Sequence, residues 1–278
     1  MPNPQNSNHF SQTPNIKTYW LALMIGNSRL HWACMRDKQL MFAWDSNHVS
    51  KSVIEDLANC KTIEDFPQEI TPDFFISPFS SFPIPLVLAS VVPSQTELWQ
   101  AYHRVKIITL KEIPLRNTYV SLGIDRALAV YGAVKKWSSS ALIIDAGTAL
   151  TFTGADSNSN LVGGAILPGL ALQLATLSQK TGQLPEVELP KTLPSRYALH
   201  TKEAIQSGVT YSILAGIKEF IQNWWELFSE SKIVLTGGDR GLLAEYFKSY
   251  EPEIFRNIVV EANLIFWGIN ELEQIKKE

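Results

Sequence analysis

A chain of 278 residues with 45% hydrophobic content suits one large domain or two of ordinary size and can fill a sizeable core. Its 24 basic and 27 acidic residues are spread without long single-sign blocks and leave a formal charge of -3, which argues against a nucleic-acid or anionic-membrane surface and for a small ligand. Cys34 and Cys60 form no CxxC pair or Cys/His cluster, and the apolar runs fall far short of the ~20 residues of a membrane span, so a soluble cytoplasmic protein without a disulfide framework or zinc site is expected.

Residues Met1 to Ile16, rich in Asn, Pro, Gln and Ser and without a basic segment leading into an apolar one, read as a disordered tail. Thr18 to Trp32 is apolar around Gly26-Asn27-Ser28, the pattern of paired strands joined by a tight turn. Lys51 to Ala58 is helical by spacing, Asp73 to Ile76 and Val87 to Val91 read as strands, Ser94 to His103 as a helix after Pro93, and Val105 to Leu110 as a strand. From Asp125 to Trp137 apolar residues recur at helical spacing, with Leu128, Tyr131 and Val134 on one face. Ala141 to Ile144, Leu150 to Gly154 and Leu161 to Leu167 are strands, Leu170 to Thr181 a helix, and Leu184 to Arg196 a proline-rich loop. Thr201 to Leu227 is a long helix, Lys232 to Thr236 a strand ending in Gly237-Gly238, and Asn263 to Glu278 a C-terminal helix. Strand, glycine turn and strand recur in both halves, which indicates an internally duplicated α/β fold with a cleft between the halves.

The chemistry gathers at those turns. A buried strand ending in Gly with Ser or Thr offers backbone N–H and hydroxyl groups to a phosphate, and Leu21 to Ser28 and Ala141 to Thr151 are such ends; facing each other, they can grip one nucleotide from both sides. Asp145 closes an apolar strand, where an unpaired carboxylate must bond or coordinate something; it either caps its turn or serves a ligand beside Gly147, Thr148 and Thr151. Asp125 and Arg126 stand at a helix mouth after Gly123-Ile124. Asp125 is either an N-cap or a base for an attacking hydroxyl, and Arg126 can hold an anionic substrate group. Leu235 to Asp239 offers backbone on which a base or ribose can lie, or is a plain strand-to-helix turn. Thr201 reads as a helix cap, His31 beside Trp32 as a core residue, and Trp224-Trp225 and Phe266-Trp267 as core or dimer-interface residues.

Six motifs taken in order resemble the type III pantothenate kinase family: Ile25-Gly26-Asn27-Ser28; Gly123-Ile124-Asp125-Arg126; Asp145 to Thr151; Gly163 to Gly169; His200-Thr201 with Ala204 to Gly208; and Leu235 to Gly238. The match runs from about residue 20 to the C-terminus. The resemblance implies a duplicated ribonuclease-H-like fold of the actin, Hsp70 and sugar kinase superfamily, with a lobe over residues 17–115, a second over 116–278 and the last helix packing back on the first lobe. It implies transfer of the γ-phosphate of ATP to pantothenate, the first step of coenzyme A synthesis, by a cytoplasmic homodimer that uses Mg²⁺ and a monovalent cation, K⁺ or NH₄⁺. By the same resemblance Met24, Ile25, Gly26, Asn27, Ser28, Arg29, Leu30 and His31 form the first ATP-phosphate loop, and Thr148 binds ATP. Asp125 is then the proton acceptor, Gly123, Ile124, Asp125, Arg126 and Thr201 contact pantothenate, and Asp145 binds the monovalent cation.

The chain departs from the family pattern at Met24, where Asp is usual and a thioether is a poor ligand for Mg²⁺. Arg116 to Tyr119 replaces a Tyr-x-Asn-Pro stretch, and His200 replaces an Asn. The Met24 substitution keeps open an alternative, a non-catalytic nucleotide-binding regulator on the same scaffold, and cleft shape leaves open a kinase of another small hydroxylated acid.

Overall fold

The structure is a computed structural model that describes residues 19–72 and 82–275, so the expected tail, the expected strand at Asp73 to Ile76 and the end of the last helix lie outside the described residues. The first half runs β1 (Tyr19–Ile25), β2 (Leu30–Arg36), β3 (Gln39–Ser46), α1 (Lys51–Asn59), β4 (Leu86–Ser90), α2 (Pro93–Trp99) and β5 (Val105–Ile107). The second runs α3 (Ile124–Trp137), β6 (Ala141–Ala146), β7 (Ala149–Ala155), β8 (Leu161–Pro168), α4 (Leu170–Lys180), α5 (Thr201–Leu227), β9 (Lys232–Thr236), α6 (Arg240–Tyr250), α7 (Pro252–Phe255), β10 (Ile258–Val260) and α8 (Leu264–Ile275).

The duplication is visible in the strand ladders. One five-stranded sheet has the order β3-β2-β1-β4-β5 and the other β8-β7-β6-β9-β10. In both, the first three strands form an antiparallel meander, and the fourth and fifth add in parallel on the far side of the first. A parallel crossover after a meander is what places glycine turns from different strands at one end of a sheet.

Strand alternation gives each sheet two buried faces. On the first sheet Leu21, Leu23, Leu30, Trp32 and Leu88 pack against Ile54 of α1 and Trp99 of α2. The opposite face, with Ala22, Met24, Ala33 and Ala89, joins Ile143 and Val234 of the second sheet in one cluster around Leu128, Tyr131 and Val134 of α3 and Leu264 and Ile269 of α8. The α3–α8 pair is thus the middle layer between both sheets. The outer face of the second sheet, with Leu142, Ile144 and Ile233, is covered by Ile213 and Ile217 of α5 and Phe247 of α6. Helix α8 also reaches the first half, through an Asn270 Nδ2 hydrogen bond to the Lys38 carbonyl of 2.8 Å and a Lys106–Glu273 ion pair.

Some elements differ from expectation. Helix α2 stops at Trp99 rather than His103, and β5 stops at Ile107 because Thr109 and Glu112 form a reciprocal capping box that starts a short 3-10 turn. Leu235 to Asp239 is a strand-to-helix turn leading into α6, while β3, α7 and β10 have no counterpart in the sequence reading; β3 is an edge strand whose mixed exposure blurs its alternation. Trp224 and Phe266 are buried, as core residues.

Helices α3 and α8 approach closely through facing glycines. A Cβ on Gly132 would lie 2.6 Å from the Gly268 nitrogen, and one on Gly268 would run into the Leu128 carbonyl. Gly268→Ala is expected to cost about 2–3 kcal/mol by overpacking. Gly216→Ala, in open space on α5, should be neutral or slightly stabilising. Thermal melts of the two variants check this, and equal melting would show that the helix pair has slack.

Candidate active site

The first glycine turn follows directly from β1, and a Gly26 N–H bond to the Arg29 carbonyl of 3.0 Å closes it. Asn27, Ser28 and Arg29 are exposed, Gly26 and His31 partly so, while Met24, Ile25 and Leu30 are buried. Of the expected phosphate loop, therefore, Met24, Ile25 and Leu30 can offer a ligand only their backbone. The Met24 thioether is packed in the central core.

The second turn joins β6 to β7, with the Gly147 N–H bonded to the Ala149 carbonyl at 3.1 Å. Across the two halves, Ser28 Oγ and Thr148 Oγ1 lie 3.2 Å apart, so turns separated by 120 residues meet. Two further glycine turns of the second half stack on the same place. The Gly169 N–H, after β8, bonds the Thr148 carbonyl at 2.9 Å, and the Asp239 N–H, after β9, bonds the Ala146 carbonyl at 2.8 Å. Gly237 has φ of 92°, and a Cβ there would strike the Asp145 carboxylate and the Ala146 peptide.

Asp125 is the second residue of α3, whose N-cap is Gly123, so it serves the helix start from inside the first turn and not from the N-cap position. Its carboxylate turns back to accept the Arg126 N–H at 2.8 Å. Burial raises its pKa above the ordinary carboxylate value, opposed by that N–H and by the Arg126 charge. At Asp145, burial first and the Asp125 charge second push the pKa up to about 6, against lowering from His31 and Arg126. Both carboxylates, the imidazole and the guanidinium therefore share one electrostatic site. Among the described residues no hydrogen-bond donor serves the half-buried Asp145 side chain, and an unserved carboxylate in such a place suits a small cation. No cluster of three or more His, Cys, Asp or Glu among the described residues could hold a metal ion by itself.

Arg126 is buried and already engaged: Nε donates to Thr153 Oγ1 at 2.9 Å, Nη1 to the Tyr119 hydroxyl at 3.0 Å and Nη2 to the Phe152 carbonyl at 3.0 Å. Thr201 is the first residue of α5 after an N-cap at His200 and makes no side-chain cap. It lines a cavity of about 690 Å³ with the motif residues Pro168, Ala204, Ile205 and Gly208, a lining that includes none of the other residues assigned to a ligand.

The core reading of His31 is overturned. Its side chain is 41% exposed, and Nδ1 lies 2.8 Å from Asp45 Oδ1. His31 stands on the strand face of Met24 but at the strand end, where the core has stopped. Residues not picked out from sequence also belong here: Asp45, His48, whose Nε2 lies 2.8 Å from the Gly26 carbonyl, and Arg240, which donates to the Gly237 carbonyl at 2.8 Å. Their signal was the β2–β3 register and the turn after β9, which emerge only with the paired strands.

The Asp145 shift fixes the sign of a pH effect. Below the unfolded carboxylate pKa of 3.8 both states are protonated; between 3.8 and about 6 the folded state binds more protons, so stability falls as pH rises through that window. The loss amounts to about 3 kcal/mol by pH 7. Asp145→Asn should therefore flatten the melting temperature between pH 4 and 7 and raise it at pH 7 without ligands. An unaltered pH slope would contradict the assignment.

The family described as type III pantothenate kinase matches residues 20–223. A type III pantothenate kinase of Nostoc sp. is 52% identical over 260 residues, covering 92% of this chain and 94% of the relative. One from Synechocystis sp. is 42% identical over 252 residues, covering 90% and 88%. A solved structure of a Baf family protein from Campylobacter jejuni aligns with a TM-score of 0.61 at 22% identity, covering 92% of this chain and 98% of that one, a likeness of fold.

Proposed function

Because the chain belongs to the type III pantothenate kinase family, and so carries out the ATP-dependent phosphorylation of pantothenate that opens coenzyme A synthesis, we propose roles for the residues that meet in its cleft. Supporting the reading above all is the 3.2 Å approach of Ser28 to Thr148, which makes one cradle from turns of both halves. The exposed Gly26 to Arg29 backbone and hydroxyl and the Thr148 hydroxyl hold the ATP phosphates. Asp125 accepts the proton of the pantothenate hydroxyl as its oxygen attacks the γ-phosphorus and ADP leaves. A half-buried carboxylate with a raised pKa is a stronger base than a fully exposed one.

Gly123, Ile124 and Arg126 are pantothenate contacts in this reading, the three Arg126 bonds hold its guanidinium in place, and Thr201 joins them from the separate pocket at the start of α5 on the family resemblance alone. Asp145 is the carboxylate for K⁺ or NH₄⁺. With Met24 buried as a thioether, Mg²⁺ would be held through the ATP phosphates, where it supplies charge neutralisation. The lobes divide as 17–115 and 116–278. A homodimer is supported by Val162, Ile166 and Leu172, large apolar residues exposed on β8 and α4, and the site of action is the cytoplasm.

A coupled assay of ADP release with and without pantothenate tests the reading against its alternative. Release that depends on pantothenate and is stimulated by K⁺ supports the kinase. ATP binding without any pantothenate-dependent turnover would make the chain a nucleotide-binding regulator.

A further inference from the structure

The first phosphate turn is braced from a strand that sequence motifs pass over. Strand β2 pairs on one side with β1, placing His31 opposite Met24, and on the other with β3, placing His31 opposite Asp45. Directly opposed residues of an antiparallel ladder share a face, so Met24, His31 and Asp45 form one cross-strand row pointing toward the cleft side of the sheet. The inner member is an inert thioether, the middle a half-exposed imidazole and the outer a carboxylate.

Asp45 Oδ1 lies 2.8 Å from His31 Nδ1. An ionised carboxylate only accepts, so Nδ1 must carry the proton, and Nε2 is the nitrogen left for other work. Nε2 lies under the turn, 3.4 Å from where a Gly26 Cβ would stand. The Asp45 carboxyl is held below its ordinary pKa, chiefly by the His31 bond and with help from the Arg29 and Arg240 charges, so it is ionised at neutral pH. The same stretch, just after β3, supplies His48, whose ring nitrogen sits 2.8 Å from the Gly26 carbonyl. Of this segment His48 bonds the turn directly, while Asp45 reaches it only through His31.

We propose that Asp45 is a positioning residue that acts through His31: it fixes the ring and its Nδ1 proton so that Nε2, carrying the second proton of the imidazolium, faces the ATP phosphates at the Gly26 turn. A phosphate oxygen there favours the doubly protonated ring, and Asp45 compensates the charge from behind. The row thereby supplies positive charge beside a position that carries no carboxylate in this chain. The inference rests on the assignment of this turn to ATP.

The test is steady-state kinetics on the full chain for Asp45→Ala, Asp45→Asn, His31→Phe and the Asp45→Ala/His31→Phe double variant, with KM for ATP and for pantothenate measured separately and ATP affinity measured by calorimetry. Asp45→Ala should raise KM for ATP and weaken ATP binding about tenfold, the loss of one hydrogen bond involving a charged group. KM for pantothenate should hold, and Asp45→Asn should fall in between. In the His31→Phe background Asp45→Ala should add nothing further. An unchanged KM for ATP in Asp45→Ala, or an equal effect with and without His31, would overturn the proposal. Asp45 is half-exposed, so the variants should fold, and melting temperatures establish that each is compared as folded protein. Wild-type chain that binds ATP but transfers nothing to pantothenate would instead overturn the kinase roles, and calorimetry would still decide the Asp45 question.

Discussion

Asp125→Asn should lower kcat for pantothenate phosphorylation by about 10²–10⁴-fold, the range for removing a general base, while ATP binding persists. The substitution keeps the shape and can keep the bond to the Arg126 N–H, which is made by a side-chain oxygen, so helix α3 should start as before. What disappears is the capacity to take a proton. The neighbouring Asp145 offers a second readout, because the Asp125 charge is among the causes that raise its pKa. In the variant that repulsion is gone, and Asp145 should ionise at lower pH, which shifts the pH dependence of stability downward. Single-turnover kinetics with saturating ATP separate chemistry from release. Full single-turnover rate in the variant would remove Asp125 from the base role, and a lost ATP affinity would show that it holds the nucleotide instead.

Gly237→Ala should lower stability by about 3 kcal/mol and the melting temperature by about 6–12 °C. Two effects add at this position. The backbone sits at φ of 92°, which side chains rarely adopt, and the added carbon would stand 2.5 Å from the Ala146 carbonyl carbon and oxygen. The Asp145 carboxylate, also struck, can turn aside, but the Ala146 atoms are backbone of β6 and cannot. Relief therefore requires moving the end of that strand, which carries Asp145 and accepts the Asp239 N–H. Activity should fall with stability. Gly238→Ala, with nothing within 4 Å of the new carbon, is the control and should melt near the wild type. Equal melting of the two variants would show that the strand end gives way easily.

Much of the architecture was legible because its markers are local. Glycine followed by Ser or Thr after an apolar strand needs no tertiary context to be read, and α5 and β9 have the expected bounds, β9 being a continuous apolar run closed by Gly237-Gly238. Exposure at strand ends is another matter. His31 lies among apolar neighbours and reads as core, yet its place in the ladder carries it past the edge of the packed layer. Asp45 has no motif around it, and only the register of an edge strand brings it to the imidazole. The helix mouth shows the same limit: Asp125 is a residue type that caps helices, but Gly123 takes the cap, a choice made by backbone angles.

The α3–α8 layer has a consequence for how the molecule can be divided. A fragment carrying only residues 19–115 would hold the complete first sheet and yet leave its Ala22, Met24 and Ala89 side bare to water, since the helices that cover it come from later in the chain. Such a fragment should aggregate or stay loose when made alone, and gain protection from proteolysis only when mixed with the complementary piece.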